Sequence, residues 1–166
     1  FQRRLVQHHA TGVANIARLV AGRSSAADAF LAGFLIDIGL ILLASSKTAK
    51  ITELVTRSKS ESLSIHTIER EVLGFTHGEL GACLLGLWGL PMTVVEAVAL
   101  HHETPDFKGL MSVREIVFIA RDAANRSEFR DPYDMASHLI TDPNILADVT
   151  VGPIIDKAHL VASESA

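Results

Sequence analysis

Side chains able to bind a metal or move a proton stand at five places in this chain: His8-His9, Asp37, His77, His101-His102 and Arg121-Asp122. Each lies beside an apolar helical pattern, near a helix end or inside a buried stretch. Imidazoles and carboxylates projecting inward from several helices are how bundles build metal sites, and their separation in sequence ceases to matter once the helices pack. Asp37 is the most informative, because Leu35, Ile36, Ile38, Leu40 and Ile41 surround it. A carboxylate buried there must be met by a cation, by hydrogen-bond donors or by a proton. The plain alternative is a bond to a neighbouring helix end, or a turn toward solvent. Adjacent helical residues point about 100° apart. One of His101 and His102 is therefore expected to face inward while the other covers the rim, and His9 to face inward with His8 outward. His66, His138 and His159, each alone on a mixed face, are assigned no function. Cys83 reads as a small buried hydrophobe.

The elements that must position these groups are helical throughout. Apolar residues recur at helical spacing, and no alternating strand pattern bounded by hairpin turns is found. A first helix carries Leu5, Val6, Val13, Ile16, Ala17, Leu19 and Val20 and stops near Gly22, with Ser24 or Ser25 capping the next. That second helix, about 26–45, is apolar on nearly every side and is expected at the centre of a bundle. A more polar surface helix spans 47–60, and another runs 63–73 and ends at Gly74. Thr76 caps a helix over 77–88 with Glu79 near its positive end. Gly89-Leu90-Pro91 breaks the chain before a helix over 92–102, and Pro105 precedes an amphipathic helix over 113–125. Beyond Arg130, Pro132, Pro143 and Pro153 predict short helices with irregular joins. The fold class is all-α, one domain over 1–160, with 161–166 as a frayed tail.

Composition narrows the function classes. With 48% hydrophobic residues in 166, a disordered tail is excluded. Nineteen acidic against fifteen basic residues, a net charge of -4 and no Lys/Arg block give no electrostatic footprint for nucleic acid. The apolar stretch 29–44 is interrupted by Asp37 and falls short of the roughly 20 residues of a membrane span, so no membrane is expected. The single cysteine fits a reducing, cytoplasmic setting. Phe1-Gln2-Arg3-Arg4 is no signal peptide, and without an initiator Met the chain reads as beginning inside a longer protein.

A family resemblance gathers these residues. Phe30-Leu31-Ala32-Gly33-Phe34-Leu35-Ile36-Asp37-Ile38-Gly39 resembles the Gly-Leu-Leu-His-Asp-Ile-Gly element of HD-domain proteins. Glu69-Arg70, Gly74, Thr76 to Ala82, Leu87 to Pro91 and Glu96 to His102 are similar to the HDOD domain, the HD-related output domain of bacterial signalling proteins. His9-Ala10 with Val13-Ala14 resembles that family's His-Ser element. The resemblance implies an HD-type helical bundle lacking the family's N-terminal helical lobe, and kinship with metal-dependent phosphohydrolases, including the phosphodiesterases of cyclic di-GMP signalling. Carried over by position, His9, Asp37, His77, His101 and His102 fall on metal-site positions. Two positions depart: Ile36 stands where the doublet has histidine, and Arg121 where the late Asp belongs, unless a one-residue shift brings in Asp122. The Gly-Tyr-Pro signature of the phosphodiesterases is also missing after Glu103.

These departures oppose metal binding, since isoleucine has no lone pair and arginine carries a permanent positive charge. The expectation is a non-catalytic, pseudo-hydrolase signal-transduction output module with no cofactor. In it Arg121 substitutes for the metal by pairing with Asp37. Signalling proteins or attached receiver, EAL or GGDEF domains are the implied partners, with a homodimer as a further assembly. The alternative is a phosphohydrolase acting on a nucleotide or cyclic dinucleotide, with Mn, Fe or Ni held by His9, Asp37, His77, His101 and His102.

Overall fold

The computed structural model describes residues 1–107, 111–133, 140–148 and 150–164; His138 lies outside the described residues. Among the described residues the chain forms α1 (Arg3–Val20), α2 (Ala26–Phe34), α3 (Ile38–Ser46), α4 (Thr48–Glu61), α5 (Ile65–Leu73), α6 (His77–Leu87), α7 (Met92–Ala99), α8 (Val113–Asn125), α9 (Pro143–Ala147) and α10 (Gly152–Glu164), and no strand.

The apolar stripes read in the sequence are the faces that pack. Val6, Val13, Ile16, Ala17 and Val20 of α1 and Ile116, Val117, Ile119, Ala120 and Ala123 of α8 are all buried. Residues of α1, α2, α7, α8 and α10 share one hydrophobic core. Leu40 and Leu43 of α3, Ile51 and Leu54 of α4, and Ile65 and Ile68 of α5 build a second with Val6 and Tyr133. Local signals set the boundaries. Gly74, at φ +80°, ends α5 in the left-handed conformation. Thr76 opens α6 with a reciprocal cap: its hydroxyl accepts from Glu79 N at 3.2 Å, and its own N–H donates to the Glu79 carboxylate at 2.9 Å.

Several expectations change. The helix expected over 26–45 is two helices, broken at 35–37, with Asp37 at the N-cap of α3 but making no side-chain cap bond. By length and composition Ala26–Ser46 is apolar enough to cross a membrane, yet half of it is buried inside the fold. The break turns α3 from α1 onto α6. There Gly39 lies so close to α6 that a Cβ would overlap the His77 carbonyl oxygen and stand 2.7 Å from Gly81 N. The helix expected to reach residue 102 ends at Ala99, and His101 and His102 lie in the turn beyond it. Residues 161–164 are not frayed: α10 continues to Glu164 because Ala162 is buried in the first core, and at 13 residues it is longer than the short segments expected there. Cys83 is exposed, since α6 turns Ala82 and Leu85 inward and leaves Cys83 on the opposite side.

Candidate functional site

Six elements bring the polar residues to the seam between the two cores. Asp37 comes from the α2–α3 break, Glu69 from α5 and His77 from the first residue of α6. His101 and His102 follow α7, Arg121 comes from α8 and His9 from α1. Close backbone approach makes the convergence possible. A Cβ at Gly78 would stand 2.9 Å from Ala99 O and 3.2 Å from the His101 ring, so α6 and the end of α7 meet only because residue 78 has no side chain.

Three of the histidines are held at Nδ1 and turn Nε2 away from that bond. His9 Nδ1 donates to Phe129 O at 2.6 Å, His77 Nδ1 to Glu69 Oε2 at 2.7 Å, and His101 Nδ1 to Val98 O at 2.7 Å. Acceptors at Nδ1 fix the tautomer and orient the Nε2 lone pair, as they do for metal-ligating histidines. The Nε2 atoms of His77 and His101 are 3.3 Å apart, and those of His77 and His102 3.0 Å. Asp37 Oδ1 stands 3.5 Å from His77 Nε2 and 3.9 Å from His101 Nε2. His9, Asp37, Glu69, His77, His101 and Arg121 are all buried.

Charge is shared unevenly among these groups. Burial works against a charged His77, but Glu69 and Asp37 outweigh it and push the ring's pKa up to about 10. Burial alone would raise Asp37; its contact with His77 and the neighbouring His9 and His101 hold its carboxyl well below the usual range. His101 and His102 are driven well below their ordinary value, first by burial and then by the cationic groups around them. Glu69 Oε2 also accepts the His77 backbone N–H at 2.8 Å, so one carboxylate fixes both the ring and the start of α6.

Tested against a single divalent ion, the donor spacing fits. The separations of 3.0–3.9 Å bracket the edge of about 3.3–3.6 Å that bonds of 2.0–2.2 Å give in a tetrahedron. His77, His101 and His102 offer nitrogens all within 4.8 Å of one another. Arg121 works against this. Its Nη2 lies 3.1 Å from His102 Nδ1 and its Nη1 3.5 Å from His101 O. Arginine only donates, so His102 accepts at Nδ1 and its own hydrogen sits on Nε2, facing His77. A ligand nitrogen must present a lone pair, which takes His102 out of the donor set. The 3.0 Å line between the two rings holds one hydrogen, and the proton favoured on His77 competes with the one Arg121 leaves on His102.

All of His9, Asp37, His77, His101, His102 and Arg121 gather here, but two expectations about them change. Both His101 and His102 reach the centre, because the helix has ended and the 100° separation no longer applies. The Arg121–Asp37 ion pair does not form: Asp37 finds His77 and His101, and Arg121 finds the backbone and ring of the histidine pair. Asp122 faces the other way, accepting from Ile140 N, Arg126 and His159. His8 is exposed, its ring against Phe129. Ile36 is fully buried in the first core. Sequence reasoning missed three contributors. Glu69 was quoted only as part of a motif. Asp131 is a buried acid whose carboxyl is pushed up chiefly by burial. His66 stacks on His102 at 4.0 Å. The recoverable signal was Glu69 on the apolar face of α5 between Ile65, Ile68 and Val72. Two clefts flank the centre: one of 480 Å³ that includes Asp37, and a more polar one of 280 Å³ that includes His66 and His102.

Comparison with known proteins places this arrangement. A crystal structure of an HDOD domain protein of unknown function from Geobacter sulfurreducens superposes over 99% of this chain and 58% of its own, with a TM-score of 0.75 at 20% identity. A chain from Shewanella amazonensis SB2B named "Putative phosphohydrolase" superposes over 100% of this chain and 65% of its own, with a TM-score of 0.69 at 20% identity. An uncharacterized protein of Treponema pallidum (strain Nichols) is 24% identical over 101 residues, which are 58% of this chain and 20% of that protein. The chain thus spans less than two thirds of each of these relatives. The two structural likenesses carry the fold, an all-α arrangement shared with HDOD proteins. Residues 1–104 match the HDOD domain model, a span holding every centre residue except Arg121 and Asp131, and the chain belongs to the HDOD domain family.

Proposed function

We propose that this domain is a non-catalytic signal-transduction output module, acting through protein contacts or through a small ligand taken up beside a degenerate HD centre. Its partners in this reading are cytoplasmic signalling proteins or attached receiver, EAL or GGDEF domains, with self-association into a homodimer as one mode of output. The observation that carries the reading is the Arg121 guanidinium, 3.1 Å from His102 Nδ1. Asp37 and Glu69 both stand against His77 and favour a proton on it, while the Arg121 guanidinium occupies the far side of the histidine pair. A divalent ion would therefore have to displace the proton favoured on His77 and sit beside a guanidinium that does not lose its own. Ile36 adds to this, because it contributes a core contact instead of a ligand. Elemental analysis and a phosphodiester-hydrolysis assay with Mn, Fe or Ni test the proposal. Substoichiometric metal and no metal-dependent turnover are expected. A bound metal with turnover that His77→Ala abolishes would reverse it.

The spacing of the Nε2 atoms favours the second reading, a metal-dependent phosphohydrolase. In that case His77, His101 and Asp37 would hold the ion, with His9 oriented by Phe129 O as a fourth donor. A bound divalent ion would supply an acidified water as nucleophile. Glu69 would keep the lone pair of His77 directed inward, and Arg121 would bind a phosphoryl oxygen only by giving up His102.

A further inference from the structure

The cleft of 480 Å³ lies between α1 and the α2–α3 break, and its lining is chemically lopsided. Phe34, Leu35, Ile38 and Ile41 form apolar walls, Gln7 contributes an amide, and Asp37 is the single ionisable group among the lining residues. Asp37 is only 4% exposed, so it reaches the cleft as a buried carboxylate. Its Oδ1 stands 3.5 Å from His77 Nε2 and 3.9 Å from His101 Nε2, longer than a full hydrogen bond. Asp37 caps the start of α3 without a side-chain cap bond, which leaves the carboxylate available to something else. Phe34 stands half-exposed and stacks with Phe30 at 6.1 Å, offering a ring beside the cleft.

From this lining we infer a ligand site for a small organic cation, a protonated amine on an aromatic or branched aliphatic body, with the ammonium on Asp37 and the body against Phe34, Leu35, Ile38 and Ile41. The inference rests on the ligand-taking branch of the proposed function. A phosphate ester does not suit the cleft: no Lys or Arg lines it, and an anion would meet the Asp37 carboxylate in an apolar setting where repulsion is poorly screened. An ammonium meets the opposite case, a carboxylate acceptor shielded from water and an aromatic face within the same cleft. The volume falls within the roughly 300–1,000 Å³ of small-molecule sites, which are mostly apolar with a few fixed polar groups.

Titration calorimetry on the full 166-residue chain, with phenethylammonium chloride as the probe, tests this. The amine is expected to bind, the neutral isostere 2-phenylethanol at least tenfold more weakly, and inorganic phosphate and phenyl phosphate not at all. Asp37→Asn should weaken the amine at least tenfold. Because that change touches the buried centre, Thr11→Trp gives a second arm: Thr11 is exposed on α1 beside the cleft, and tryptophan there should block the amine while the helical spectrum stays unchanged. Absence of amine binding, equal binding of amine and alcohol, or amine binding unchanged in both folded variants would each overturn the inference. Phosphate ester binding without amine binding would do the same. None of these results depends on metal content or turnover, so the proposed function stands or falls separately.

Discussion

Arg121 and Asp122 are neighbours on α8, yet they serve two clusters that look alike on paper and differ in geometry. Each cluster buries an aspartate among histidine and arginine. Asp122 is saturated by short bonds: Ile140 N at 2.8 Å, Arg126 Nε at 3.0 Å and His159 Nε2 at 3.1 Å. Its two side-chain partners are about a third exposed, so their polar ends keep much of their hydration. Asp37 instead stands 3.5 and 3.9 Å from two buried rings, and nitrogens face nitrogens at 3.0 and 3.3 Å. The first network ties α8, α10 and the segment at Ile140 together and is complete. The second is unfinished, with protons in competition and a carboxylate held only at long range. A full set of short bonds marks an architectural cluster; long bonds between buried groups mark one that still has capacity for a proton, an ion or a ligand.

The largest effect should come from removing the saturated aspartate. Asp122→Ala leaves the Ile140 N–H, the Arg126 guanidinium and the His159 ring without their acceptor and is expected to cost about 3 kcal/mol in chemical denaturation. Asp37→Ala removes longer contacts together with a buried charge that itself costs free energy to desolvate, and should cost less than Asp122→Ala. If Asp37→Ala is the more damaging of the two, the contrast fails.

The second effect is the pH dependence of the metal-stripped protein. The raised His77 contributes stability that is fully present below 6.5 and is lost as pH rises from 6.5 through about 10. The depressed His101 and His102 contribute stability present above 6.5 and lost as pH falls below it; Asp37 adds a further loss below about 3.8. Stability should therefore peak near pH 6.5 and decline on the alkaline side until pH passes about 10. In His77→Gln that decline should vanish while the acid limb remains; a decline that persists would place the proton elsewhere.

Much of this was legible from the residues, and the rest has particular causes. The apolar stripes of α1 and α8, the Gly74 stop and the Thr76 cap are local signals, and the structure has them where the sequence puts them. Asp37 stood out because a carboxylate between leucine and isoleucine needs an explanation. The break before α3 was not legible, since no glycine or proline sits at 35–37; it follows from α3 packing on α6 through Gly39, a tertiary demand. The same holds for the end of α7 at Ala99, which frees both His101 and His102 to turn inward. Arg121 was recognised as a cation in the centre, but its partner was not: a helix pattern gives the direction of a side chain, whereas its bond depends on where the turn after α7 places His102. Glu69 hid because it follows Ile68 on a short helix and was quoted as a motif letter. Cys83 misled because composition favours a buried thiol, whereas the α6 face decides.

A smaller effect concerns metal affinity. Arg121→Asp should release His102 Nδ1 from its donor and place a carboxylate where related sites carry their late Asp. Uptake of Mn should tighten at least tenfold over the parent, about 1.4 kcal/mol, read by elemental analysis after dialysis. No tightening in a folded variant would shift the block from Arg121 to Ile36.

The smallest expected effect is at His66, whose ring lies 4.0 Å from that of His102 at 22° to it. With His102 and His101 also 4.0 Å apart, three rings run from the 280 Å³ cleft toward the centre. Stacking of this kind is worth about 0.5–1.5 kcal/mol when buried. His66 is only partly buried, so His66→Ala should cost about 0.5 kcal/mol. Its stability profile should still peak near pH 6.5, because burial, Glu69, Asp37 and Arg121 dominate the shifts that set the peak and His66 is the last-ranked contributor to the depression of His102. A displaced peak would make His66 a working member of the unfinished cluster, and the boundary between that cluster and its surroundings would move out to the surface of α5.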